Sequence, residues 1–193
     1  MTHINKKTID RSILSIRFAI SRDWRGYLDT LLLGPQVEIG SKSIVEIDES
    51  KFGKKCKSHR GKGFARSWVF GMLDSNEKIA LLQIVDKRDQ QTLMPIITKH
   101  ISRDAKIHHD DWAVYRNLHQ YGYDHSKVVH TKEFKAADGT HTNGIEGTWG
   151  VLKQRLCRMH GYPHDRLQLF LDEYCFRLKH KGELVKAILN AIK

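Results

Sequence analysis

"AKIHHDDWAVYRNLHQYGYDHSKVVHT", residues 105–131, decides how this chain folds. Its first part, 105–110, is a short strand candidate running into two aspartates, Asp110 and Asp111. "WAVYRNLHQYG" (112–122) has helical spacing, and "KVVHT" (127–131) is a second short strand. A strand, a helix and a strand in succession form a crossover unit, and crossovers join parallel strands.

Upstream the pattern differs. "SIVEID" (43–48) alternates apolar and acidic residues with period two, and two further apolar runs, 64–74 and 78–86, are joined by "SNE" as a hairpin. Residues 8–33 repeat apolar side chains at helical spacing and end at Gly34-Pro35. "QQTLMPIITKHI" (90–101) reads as a helix in which Pro95 either occupies the first turn or kinks it. Residues 145–161 are a helix closed by a glycine, and 164–192 are helical again, with Leu167, Phe170, Leu171, Tyr174, Cys175 and Leu178 on one face. Three antiparallel strands followed by alternating β and α units predict a mixed α/β sheet flanked by helices.

Composition narrows the partners. Thirty-three Lys and Arg against 22 Asp and Glu leave a net charge of +11, an excess that favours a polyanion, above all nucleic acid. No apolar run approaches the roughly 18 residues of a membrane span, and "MTHINKKTIDRS" has no signal-peptide pattern, so a soluble intracellular protein is expected. Cys56, Cys157 and Cys175 are odd in number and far apart, which suits a reducing compartment and gives no zinc framework. Among twelve histidines, Cys56-x-x-His59 and His125-x4-His130 are zinc half-sites at best.

The chemistry lies in the acids. Asp48 closes the first predicted strand, Asp110 closes a later one, and Glu146 opens a helix, and polar groups at strand ends converge in the crevice outside an α/β sheet. Convergent carboxylates repel one another unless a hard cation neutralises them. Oxygen-only ligands suit Mg²⁺ or Mn²⁺, and two such ions about 4 Å apart are the usual machinery for displacement at a phosphodiester.

Four segments, "VEIDESKFGKK" (45–55), "IHHDDWAVYRNL" (107–118), "GYDHSKVVHTKEF" (122–134) and "HTNGIEGTWGVLKQRL" (141–156), resemble in order and spacing the catalytic domain of Merlin-like transposases and their bacterial insertion-sequence relatives. The resemblance runs from about residue 44 to 180 and implies a ribonuclease-H-like fold with an Asp-Asp-Glu triad. By position the triad is Asp48, Asp110 and Glu146, with 35 residues between the last two. Two Mg²⁺ ions, with Mn²⁺ as a substitute, are implied at that triad, activating water for strand cleavage and then a DNA 3′-hydroxyl for attack on target DNA. Asp111 rivals Asp110, but the family pattern sets its acid two residues before the tryptophan, here Trp112. Asn143 is a second metal-ligand candidate, with a helix cap or turn residue as the equal alternative. The implied partners are element ends and target DNA, and a homo-oligomer assembled on them, in the nucleus if the host is eukaryotic.

Other positions complete the picture. Lys153 lies seven residues after Glu146, about two turns on, so both project from nearly the same face. Trp149, one turn from Glu146, either touches DNA or wedges the helix against the sheet, and the wedge is favoured. Residues 51–66 hold seven Lys or Arg and three glycines. In this loop Lys54, Lys55, Lys57, Arg60 and Lys62 are candidates for tracking a phosphate backbone, joined by Lys153 and Arg155 on the helix; a solvated hairpin is the alternative for the loop. Residues 1–40 are expected to be a helical segment, a truncated recognition region, ahead of a catalytic domain spanning 41–193. At 128–131 "VVHT" stands where the family favours Asn-His-Ser, so Val129 replaces an asparagine. A non-catalytic DNA-binding remnant or domesticated factor, and a structure-selective nuclease on the same fold, are the alternative functions.

Overall fold

The computed structural model describes residues 5–34, 43–53, 66–128, 141–159 and 162–193. Its elements are α1 (Lys6–Leu28), β1 (Ile44–Phe52), β2 (Ser67–Asp74), β3 (Ile79–Val85), α2 (Gln90–His100), β4 (Lys106–Asp110), a 3₁₀ segment (Ala113–Tyr121), β5 (Asp124–Val128), α3 (Asn143–Arg158), α4 (Leu167–Lys179) and α5 (Leu184–Ile192). The strands form one sheet in the order β3-β2-β1-β4-β5. β2 pairs antiparallel with both β1 and β3, whereas β4 lies parallel to β1 and β5 parallel to β4. This is the mixed sheet that the order of sequence patterns predicts, in the ribonuclease-H-like arrangement that the transposase resemblance implies.

Local chemistry explains the joints. Asp74 ends β2, is 1% exposed, and accepts the Asn76 and Glu77 N–H groups, which shapes the β2–β3 turn. The same carboxylate accepts the Gly34 N–H at 2.8 Å, tying the segment after α1 to the sheet. Gly34 has φ +67°, and a Cβ there would stand 2.5 Å from that of Ala105, so only glycine fits. On the outer edge of the sheet, the Gln168 amide of α4 donates to the Leu82 carbonyl and accepts the Ile84 N–H, both at 2.9 Å. α1 packs on α4 and α5, and its Ile20 and Trp24 belong to the same buried core as Ile47, Met72 and Phe176.

Four expectations change. β1 runs on to Phe52 because β2 pairs with it along its length, so Asp48 is mid-strand instead of closing the strand. Pro95 is the sixth residue of α2, past the first turn. Residues 113–121 are 3₁₀ rather than α, ending at Gly122 with φ +79°. The C-terminal helix is broken between Lys179 and Leu184, around Gly182, and a short 3₁₀ turn (His164–Arg166) precedes α4. Glycine destabilises a helix interior, which makes it a natural break.

Trp149 of α3 lies on Gly71 of β2, where an added Cβ would come within 2.5 Å of the indole. Gly71→Ala is therefore expected to destabilise the fold by roughly 1–3 kcal/mol through overpacking, read as a lower urea midpoint. An unchanged midpoint would contradict this close approach.

Candidate active site

The site is built by register. β1 and β4 pair in parallel with Glu46 opposite His108, so two residues further along both strands Asp48 and Asp110 come level, on the same face of the sheet. That face receives α3. The Ile145 N–H, in the first turn of α3, donates to the Glu46 carboxylate at 2.9 Å, and the Ser75 hydroxyl donates to the same group at 2.6 Å. Glu46 is 1% exposed. A carboxylate at a helix N-terminus satisfies free N–H groups and complements the dipole. Gly144 makes room for it, since a Cβ there would meet both Glu46 oxygens at 2.9 Å.

One turn on, the Trp149 indole N–H donates to Asp48 Oδ2 at 2.8 Å, while Oδ1 accepts the Glu49 N–H at 2.7 Å. Trp149 is thus the wedge expected of it and also a direct holder of the first acid. Glu146, on the next turn back, accepts from the Thr142 hydroxyl at 3.0 Å. Asp110 Oδ1 accepts the Trp112 N–H at 3.1 Å.

Electrostatics reveal how crowded these groups are. Burial, and then the neighbouring charges of Asp110 and Glu146, push the Asp48 carboxyl up to about 6, although the hydrogen bonds from Trp149 and Glu49 oppose the shift. Glu49 points to the opposite face, its side chain 3% exposed. Burial, with Asp48 and Asp110 nearby, pushes it up to about 8 in spite of Arg88, 3.7 Å away. Arg88 stacks on Trp68 at 3.7 Å and on Trp112 at 4.4 Å. Among the described residues no three His, Cys, Asp or Glu side chains stand close enough to ligate one ion. In kind, however, the donors suit a hard divalent cation: Asp48, Asp110 and Glu146 offer oxygen alone, in a cluster whose Asp48 is disfavoured as an anion first by burial and then by its acidic neighbours.

Of the other predicted residues, Asp111 is exposed and pairs with Lys127 at 3.2 Å, away from the cluster. Asn143 is the exposed first residue of α3, and the cap position belongs to Thr142. Lys153 is exposed with its ammonium 5.7 Å above the Phe52 ring, while Arg155 leans on Tyr174 at 5.6 Å, towards α4. Lys54, Lys55, Lys57, Arg60 and Lys62 lie outside the described residues, as do Val129, Cys56, His59 and His130. His125 meets His109, Nδ1 to Nε2, at 2.9 Å. Sequence reasoning missed Glu46, Glu49 and Arg88; the one available signal was that Glu46 precedes Asp48 by two, hence shares its strand face.

Two aspartates on adjacent parallel strands of a mixed sheet, with a glutamate on the helix above, fit the site of a DDE-type transposase domain. The ISXO2-like transposase domain model matches residues 34–179, and the chain belongs to that family. A transposase-like protein of Haemophilus influenzae is 27% identical over 110 residues, 57% of this chain and 87% of that one. Being bacterial, it lends no support to a nuclear location. The catalytic core of HTLV-2 integrase with magnesium has 12% identity, covers 72% of this chain and 82% of its own, and superposes with a TM-score of 0.40. The BIV integrase core has 12% identity, covers 72% and 84%, and gives 0.44. No helix of the described residues is long and apolar enough to cross a membrane.

Two measurements in EDTA probe the electrostatics. Trp149→Phe keeps a ring but removes the donor that lowers the Asp48 carboxyl, so Asp48 should titrate above its value of about 6 by ¹³C NMR; no change would mean the indole bond is immaterial. Folded Glu49 holds its proton to about pH 8, against 4.5 for an ordinary glutamate, so it costs stability progressively as pH rises through that window. Glu49→Gln escapes this cost, and its Tm advantage over the wild type should grow from pH 5 to pH 8, reaching at least about 2–4 °C, the equivalent of roughly 1 kcal/mol.

Proposed function

We propose that this chain is the catalytic domain of a metal-dependent DNA transposase, which cleaves the ends of a mobile element and joins them to target DNA. The observation that carries the reading is the level pair Asp48 and Asp110 beneath Glu146, with Asp48 sensing both as like charges. Asp48, Asp110 and Glu146 would hold Mg²⁺ or Mn²⁺, with Asn143 as a further candidate ligand. Bound there, the metal supplies positive charge and activates the attacking oxygen.

The chain's own residues orient the reactants. Trp149 and the Glu49 N–H fix both oxygens of Asp48, Thr142 steadies Glu146, and Glu46 sets the start of the helix that carries it. Lys153, two turns along α3 from Glu146, would grip a substrate phosphate. In joining, a DNA 3′-oxygen forms the new bond to phosphorus, and the bond from that phosphorus to a target-strand oxygen breaks, releasing a 3′-hydroxyl there. Arg155 and the loop residues Lys54, Lys55, Lys57, Arg60 and Lys62 would contribute backbone contacts, and a homo-oligomer would hold paired ends. Residues 41–193 would form the catalytic domain, with 1–40 a helical N-terminal segment.

The test is nicking of supercoiled plasmid with Mg²⁺ or Mn²⁺. Asp48→Ala, Asp110→Ala and Glu146→Ala should each lower the rate roughly a thousandfold or more, since metal assistance contributes several kcal/mol to the transition state. Asp111→Ala should nick like the wild type. Salt-sensitive binding without metal-dependent nicking would instead identify a non-catalytic DNA-binding derivative, and cutting of branched DNA without joining would identify a nuclease.

A further inference from the structure

On the side of α3 away from the acids lies a second basic feature. Arg155 follows Glu146 by nine residues, about two and a half turns, and so projects from the opposite face of the helix, about 13 Å further along it. There Arg155 and Arg158 of α3, Arg17 of α1 and Arg177 of α4 line a pocket of about 340 Å³. One carboxylate, Glu173, shares it, so four arginines against one acid leave three positive charges in excess.

The arrangement is constructed rather than scattered. Glu173 accepts Arg17 Nε at 2.7 Å through one oxygen and Arg177 Nε at 2.8 Å through the other. Its side chain is 13% exposed. Arg17 is further held by the Tyr162 hydroxyl at 3.3 Å, and Arg155 packs on the Tyr174 ring. Two guanidiniums are thereby oriented through Nε, which leaves the terminal nitrogens of Arg177 outside the Glu173 pair. Neither Arg155 nor Arg158 forms an ion pair or side-chain hydrogen bond among the described residues. Converging guanidiniums with uncommitted N–H groups match the oxygens of a phosphodiester.

We propose that the Arg17, Arg155, Arg158 and Arg177 pocket is a phosphate-binding site for a nucleic-acid backbone, separate from the acid-bearing face. The inference rests on the nucleic-acid part of the functional reading but not on its chemistry. One duplex phosphate can be held here while another segment lies at the acids, so α3 presents a nucleic-acid contact on each of two faces.

The test is fluorescence anisotropy of a labelled 20-base-pair duplex in EDTA over a series of salt concentrations, so that cleavage plays no part. Arg155→Gln with Arg158→Gln changes two exposed side chains that make no ion pair or side-chain hydrogen bond among the described residues, and thermal melting checks that losing the Arg155 contact with Tyr174 leaves the fold intact. Binding is expected to weaken about tenfold, with the slope of log K against log salt shallower by roughly one to two. Lys6→Gln with Lys7→Gln removes the same charge from the far end of α1 and should stay near the wild type. Equal affinity and slope in the pocket variant, or a loss no greater than in the Lys6/Lys7 control, would overturn the assignment. Either result leaves the nicking test of the acids standing on its own.

Discussion

A carboxylate from the first strand holds the start of a helix that the chain reaches 99 residues later. The Glu46 bond to the Ile145 N–H is charge-assisted and buried, a class of interaction that contributes about 1.5–3 kcal/mol, and removing Glu46 would also strand the Ser75 hydroxyl. Its larger consequence is geometric. With the first turn of α3 fixed over β1, Glu146 has a defined position, and Trp149 reaches Asp48 one turn on. Gly144 and Gly71 are small because the carboxylate and the indole occupy the space their side chains would need.

The same assembly concentrates negative charge in a chain whose net charge is +11. Asp48, Asp110, Glu146 and Glu49 influence one another, and the folded state absorbs the repulsion partly by raising the Asp48 and Glu49 carboxyls. Perturbations of this kind, combining burial with specific like-charged neighbours, cluster at functional sites. Arg88, flanked by Trp68 and Trp112, meets Glu49 on the far side of β1 from α3.

Much of this was legible in the sequence. One period-two run and two apolar runs located the first three strands, the order of elements implied the mixed sheet, and the proposed triad came by position from the transposase resemblance. What escaped has a common cause. Glu46 sits in an alternating strand where an acid normally faces water, and only the packing of α3 makes it buried. Glu49 and Arg88 meet across 38 intervening positions in the chain, and the arginine pocket gathers residues from α1, α3 and α4. None of these meetings leaves a local periodic trace. The 3₁₀ form of residues 113–121 escaped for a different reason, since spacing of apolar residues cannot separate three residues per turn from 3.6 over so short a stretch.

The Gln168 amide on the outer edge of β3 has a reach beyond its two hydrogen bonds. An exposed edge strand is an adhesive surface, since its unpaired N–H and C=O groups template another strand. Here a side chain from α4 satisfies both backbone groups in the middle of that edge. The sheet is therefore closed to strand addition at this point, since a neighbouring strand would find both backbone groups there already taken by one amide.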